Sequence, residues 1–87
     1  MVSETLIVTN PAGFHMRLAR NFVTAMSNFS CAVAIHYHGR EIDGKSLMSV
    51  MAACMKRGAE IEVRCAGHDE TRALETAAAL IRSNKEV

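Results

Sequence analysis

Asn10-Pro11-Ala12-Gly13-Phe14-His15-Met16-Arg17-Leu18-Ala19 is the stretch from which the rest of the chain can be placed. Asn-Pro with a Gly shortly after it marks a turn, because Pro fixes φ and Gly tolerates φ values that other residues avoid. Leu18, Ala19, Phe22, Val23 and Met26 then recur at helical spacing and give one apolar face. His15 therefore falls at or near the N-cap of a helix, where backbone N–H groups lack partners and the macrodipole favours negative charge. With the guanidinium of Arg17 two residues on, the position suits a phosphoryl group. The plainer reading of the same residue is a partly exposed surface histidine at a helix start.

Working outward, Thr5-Leu6-Ile7-Val8-Thr9 is β-branched and short, as a first strand requires. Ser27 to Ser30 ends the helix. Alternation from Ala32 to Tyr37 puts Val33, Ile35 and Tyr37 on one side of a strand, and His38-Gly39 turns the chain into Arg40-Glu41-Ile42 as a hairpin. After the loop Asp43-Gly44-Lys45, Ser46 stands at the N-cap of a second helix. Leu47, Val50, Met51 and Cys54 form its stripe, Met48 and Met55 flank it, and Gly58 is the expected C-terminal stop. Glu60 to Cys65 alternates with Ile61, Val63 and Cys65 inward. Gly67 breaks that strand, Asp69 is placed to cap, and Leu74, Ala77, Ala78 and Ile81 are the buried face of a last helix.

The element string is βαββαβα, an α+β layer pair with helices over one face of an antiparallel sheet. Periodicity alone does not choose the strand order, and a ferredoxin-like domain carries nearly the same string.

The 87 residues leave room for one domain, 1–87, with a modest core. A net charge of +1 with histidines neutral gives no electrostatic case for nucleic acid or membrane as a bulk partner. No apolar run approaches the roughly 20 residues of a membrane span. Met1 to Thr9 lacks a basic n-region and reads as a strand, not a secretory signal. Cys31, Cys54 and Cys65 are widely spaced, so small buried hydrophobes in a reducing cytoplasm fit them better than a disulfide framework. His36 and His38 share a strand face, but further ligands at recognisable spacing are missing. We expect no metal and no cofactor.

Three blocks carry a resemblance that covers essentially the whole chain: Asn10 to Ala19, Gly44-Lys45-Ser46-Leu47-Met48, and Lys56-Arg57-Gly58-Ala59-Glu60-Ile61. In this order and spacing they resemble the HPr family, the histidine-containing phosphocarriers of the phosphoenolpyruvate-dependent sugar phosphotransferase system. The resemblance implies an open-faced β-sandwich: a four-stranded antiparallel sheet of order 1-4-2-3 with three helices on one face. It also implies a cytoplasmic monomer that accepts a phosphoryl group from enzyme I on His15, through Nδ1, and passes it to IIA components for sugar uptake. Such a carrier is not an enzyme in the strict sense, because it turns over no small substrate.

Imidazole suits the role because it is substantially neutral near pH 7 and its phosphoramidate is labile. Arg17, carried over from the same motif, neutralises the phosphoryl oxygens with fixed donors that Lys lacks. Two residues depart from the family pattern: Leu18 stands where Pro is usual, and Met16 where the residue is usually small. Leu18 brings a backbone N–H into the first helical turn. That donor has two readings, a bond to the phosphoryl group or a bond to the imidazole nitrogen that ties up its lone pair.

Ser46 is fully explained as a cap. In the HPr families of low-GC Gram-positive bacteria the corresponding serine is phosphorylated by a regulatory kinase. The resemblance therefore extends to carbon catabolite regulation, with an HPr kinase/phosphorylase and a transcriptional regulator as further partners. Leu47, Met48 and Met51 lie in the region that family members expose to partner proteins, and methionine adapts to several partners. Core packing is the competing account of that stripe. Two other functions stay open: a regulatory paralogue serving a nitrogen-type branch, and a ferredoxin-like metal- or ligand-binding module.

Overall fold

The computed structural model describes residues 1–83, so the last four residues of the expected 1–87 unit lie outside the described residues. The elements are β1 (Val2–Ile7), α1 (Met16–Met26), β2 (Ala32–Tyr37), β3 (Arg40–Asp43), α2 (Leu47–Ala52), β4 (Glu60–Ala66) and α3 (Glu70–Arg82). The strands form one antiparallel sheet of order β1-β4-β2-β3. That order decides between the two architectures the element string left open, in favour of the open-faced sandwich.

Register explains which residues face the helices. Val2 pairs with Cys65, Glu4 with Val63 and Leu6 with Ile61, while Val33 and Ile35 oppose Cys65 and Val63 from the other side. Because strand side chains alternate, this set lies on one face, and Leu6, Val33, Ile35, Ile61, Val63 and Cys65 are all buried there. Phe22 and Met26 of α1, Val50 of α2 and Ala73, Ala77, Ala78 and Ile81 of α3 close over them. The opposite face carries Thr5, His36, Glu62 and Arg64, with Arg64 donating to Glu62 at 3.0 and 3.1 Å. His38 and Gly39 both take left-handed φ, 52° and 75°, as a two-residue hairpin turn demands.

Several local expectations are corrected. The first strand begins earlier, at Val2, and ends at Ile7; its Val8 instead leaves the sheet edge and exchanges backbone bonds with Ala59 and Gly58. The second helix is short: it is capped at Ala53, so Cys54 leaves the stripe, with φ 53° and an exposed side chain. Cys54 takes the left-handed position after the helix that Gly58 was expected to fill, and Cys31 and Cys65 alone are buried thiols. Asp69 stands at the start of α3 but makes no side-chain cap bond. Its carboxylate instead accepts from the Ser30 and Cys31 N–H groups at 2.8 and 2.9 Å, tying the entry of β2 to the start of α3. Leu74 is half-buried, and Ala73 takes the buried place on α3.

Candidate functional site

The loop before α1 is built on Asn10, which is 1% exposed. Its Oδ1 accepts from Ala12 N–H at 3.0 Å and its carbonyl from Gly13 N–H at 2.8 Å, so one residue templates the whole turn. Gly13 has φ 72°, and a Cβ there would stand 3.0 Å from the Met55 carbonyl oxygen and 3.1 Å from the Arg57 nitrogen. The loop thus lies directly on the segment linking α2 to β4, and Phe14 N–H bonds the Met55 carbonyl at 2.8 Å. Phe14 then turns inward against Phe22, ring centroids 5.5 Å apart and edge to face. With Phe14 anchored inside, His15 is left at the surface, half-buried, in extended conformation (φ −76°, ψ 176°).

His15 caps α1 with its ring. Nδ1 accepts from Arg17 N–H at 3.1 Å and Leu18 N–H at 3.4 Å, two donors that have no carbonyl partner in the first turn. Since Nδ1 is the acceptor, the neutral ring carries its proton on Nε2. Of the two readings of the Leu18 N–H, the imidazole bond is the one present here. The Leu18 side chain is buried, and that of Arg17 is exposed. Arg17 is therefore close to the imidazole through its backbone, with its guanidinium on the exposed side.

At α2, Ser46 is the cap the sequence indicated: its Oγ accepts from Ser49 N–H at 3.2 Å. Of the three residues assigned to docking, Leu47 and Met51 are half-buried against the core and Met48 is 84% exposed. Met51 also joins the His15 loop in one cleft of about 490 Å³, lined by Pro11, Ala12, Phe14, Cys54, Met55, Lys56 and Arg57. The structure therefore brings Met51 to the His15 side. Among the described residues no hydrogen bond or ion pair links Ser46 to His15. Met16, next to His15 in sequence, is 50% exposed.

One feature of the site was missed by motif reading although it stands in the sequence. From Thr5 to Arg40 and from Gly44 to Ala59 there is no Asp or Glu. The two stretches that build the site carry Arg17, Arg20, Lys56 and Arg57, all exposed, with no carboxylate among them. The negative charges lie elsewhere, on β3, β4 and α3 above all. His36 faces Glu41 at 3.5 Å and His38 stacks on Tyr37, and among the described residues no three His, Cys, Asp or Glu side chains converge as metal ligands.

Fold and site together define a class, the histidine-containing phosphocarriers of the phosphotransferase system. Known proteins agree. Residues 2–83 match the family model described as "PTS HPr component phosphorylation site". The phosphocarrier protein HPr of Xylella fastidiosa (strain 9a5c) is 36% identical over 83 residues, covering 95% of this chain and 93% of that protein. The crystal structure of HPr-C-His from Thermoanaerobacter tengcongensis superposes with a TM-score of 0.94 at 28% identity, over the full length of both chains. Crh of Bacillus subtilis, a catabolite repression protein crystallised as a swapped dimer, gives a TM-score of 0.75 at 30% identity, over 94% of each chain. The chain belongs to the HPr family of phosphocarriers. Among the described residues no helix is long and apolar enough to cross a membrane.

Proposed function

We propose that this chain, acting as one unit over residues 1–87, carries a phosphoryl group on His15 Nδ1, from enzyme I to IIA components that serve sugar uptake. The observation that carries this reading is the half-exposed imidazole held by its Nδ1 over the open start of α1. A nucleophile there meets two needs at once. Its phosphoryl group would lie where N–H groups without carbonyl partners and the positive helix end favour anions, and exposed Arg17 supplies a counter-charge.

Partners follow from the same surface. Exposed Arg17, Arg20, Lys56 and Arg57 with no carboxylate among them fit an acidic partner surface; Met51, which shares a cleft with Lys56 and Arg57, and exposed Met48 supply adaptable apolar contact. The chain is a carrier and not a catalyst in this reading: the transfer chemistry belongs to the partners' active sites. Cytoplasmic placement follows from the partners it serves. Ser46 is a candidate for regulatory phosphorylation, which would bring in an HPr kinase/phosphorylase and a transcriptional regulator.

A second reading, a regulatory paralogue on a nitrogen-type branch, is supported by the two motif departures at Met16 and Leu18; the likeness to Crh supports a regulatory role only in general. Both readings use His15; they differ in which enzyme I serves as donor.

The test is incubation with phosphoenolpyruvate and a cognate enzyme I, followed by intact-mass measurement. One acid-labile, alkali-stable phosphate is expected on the unaltered chain and none on His15→Ala. Equal uptake by His15→Ala would remove His15 from the reaction. Running sugar-type and nitrogen-type enzyme I side by side separates the two branches.

A further inference from the structure

We infer that the backbone N–H of Leu18 changes partner during transfer: it holds His15 Nδ1 in the free protein and passes to a phosphoryl oxygen once Nδ1 is phosphorylated. This rests on the reading of His15 as the acceptor. The helical ladder begins with Ala19 N–H, which bonds the His15 carbonyl at 2.8 Å, so the Leu18 N–H just before it has no backbone acceptor. Among the described residues its partner is Nδ1, at 3.4 Å, shared with Arg17 N–H at 3.1 Å. The amide is also fixed in place, because the Leu18 side chain is 3% exposed and belongs to the core.

Nδ1 has one lone pair in the ring plane, and it cannot accept hydrogen bonds and bond phosphorus together. In the transfer step that pair forms the new N–P bond, the donor's bond to phosphorus breaks and returns its electron pair to the donor atom, and the Nε2 proton stays on the ring. Both amides then lose their acceptor at the moment three anionic oxygens arrive beside them. A bond from N–H to a charged oxygen is roughly twice as strong as one between neutral groups. The exchange therefore favours the phosphorylated form. Proline, usual at this place in the family, has no N–H to contribute, so Leu18 gives this chain one donor more.

Two variants separate the amide from the side chain. Leu18→Ala keeps the N–H and removes the packing; Leu18→Pro removes the N–H, at a first-turn position where no intrahelical bond is lost. At a fixed ratio of phosphoenolpyruvate to pyruvate, with enzyme I, the phosphorylated-to-free ratio should be roughly fivefold lower in Leu18→Pro than in Leu18→Ala. Should Leu18→Pro fail to fold, ¹⁵N–¹H spectra of the unaltered chain decide. The Leu18 amide proton should move strongly downfield on phosphorylation as it gains a charged acceptor. Equal ratios in the two variants, or a Leu18 amide that stays put while His15 is phosphorylated, overturn the inference and leave His15 as acceptor intact. Absence of phosphate on His15 removes the underlying reading instead.

Discussion

Two helices of this chain begin on side chains able to take phosphate, and they are built to opposite specifications. At α1 the cap is an imidazole, and the helix behind it is anchored by Leu18, Ala19, Phe22 and Met26, all buried. Burying the Leu18, Phe22 and Met26 side chains contributes about 1.5–3 kcal/mol each. The cap is a small part of what holds α1, so its acceptor can be given up during a reaction. At α2 the cap is a hydroxyl on a helix of 6 residues with Val50 as its one fully buried side chain. There the Ser46 bond to Ser49 N–H is a large share of the helix's local support. A phosphate on His15 would replace a dispensable contact, whereas a phosphate on Ser46 would have to keep capping.

The contrast is broken most directly at Arg17. If α1 is a phosphate seat, deleting one charge-assisted partner of the phosphoryl group costs on the order of 1.5–3 kcal/mol. Fully expressed in the transition state, that is roughly tenfold to a hundredfold in rate. Arg17→Ala should therefore slow transfer while its melting temperature stays near that of the unaltered chain, since the side chain is exposed. Stopped-flow or quenched-flow transfer from phosphorylated enzyme I measures the first, and calorimetry the second. An unchanged rate would take the guanidinium out of the site.

The next test sits at the other cap and reads two quantities. Ser46→Asp keeps an oxygen acceptor for Ser49 N–H and adds a negative charge at a helix start, so stability should hold or rise slightly. The same charge would lie next to Leu47 and Met48, where a partner docking as proposed would have to desolvate the surface. We expect phosphorylation of His15 by enzyme I to slow several-fold, with less slowing at high salt. Ser46→Ala should do the reverse, keeping the rate and losing about 1 kcal/mol of stability. A wild-type rate for Ser46→Asp at both low and moderate salt would leave Ser46 as a cap alone.

How far the sequence carried this picture depends on the range of the interactions involved. Periodicity and turn chemistry are local, so all seven elements, the inward sets Val33–Ile35 and Ile61–Val63–Cys65, and both caps were legible from residue order. Strand order is set by non-local pairing, and the resemblance supplied it where periodicity did not. The errors cluster where a local rule met a tertiary competitor. Asp69 has the chemistry of a cap, but the unpaired N–H groups of Ser30 and Cys31, far away in sequence, took its carboxylate. Cys54 continues a helical stripe on paper, yet the chain must reverse there so that the Met55 carbonyl can meet Phe14 N–H. The two donors on His15 Nδ1 were half legible: a first-turn N–H at Leu18 follows from its not being Pro, but its choice of acceptor is geometry.

The smallest effect expected concerns the third helix start, where the capping position is occupied and does not cap. Bonds from the Ser30 N–H first, and from Cys31, hold the Asp69 carboxyl below its ordinary value. Glu70 is lowered likewise, chiefly by the Gly67 N–H, which it accepts at 3.0 Å. A carboxyl with a depressed folded-state pKa stabilises the fold above its unfolded pKa, near 4, and loses that contribution as pH falls through the lower folded value. The sign is therefore fixed: neutral pH keeps the tie between β2 and α3, and acid releases it. Asp69→Asn offers one oxygen where the carboxylate uses both, and that oxygen is uncharged. Its melting temperature should be lower than that of the unaltered chain at pH 7, and the gap should narrow as both are titrated below pH 4. Transfer to and from His15 should be unaffected at pH 7, because the α3 start lies outside the His15 loop and its bracing segment. A gap that stays constant across the titration would mean that Asp69 acts by shape and not by charge. A change in transfer rate would mean that the α3 start is coupled to the His15 loop through the core they share.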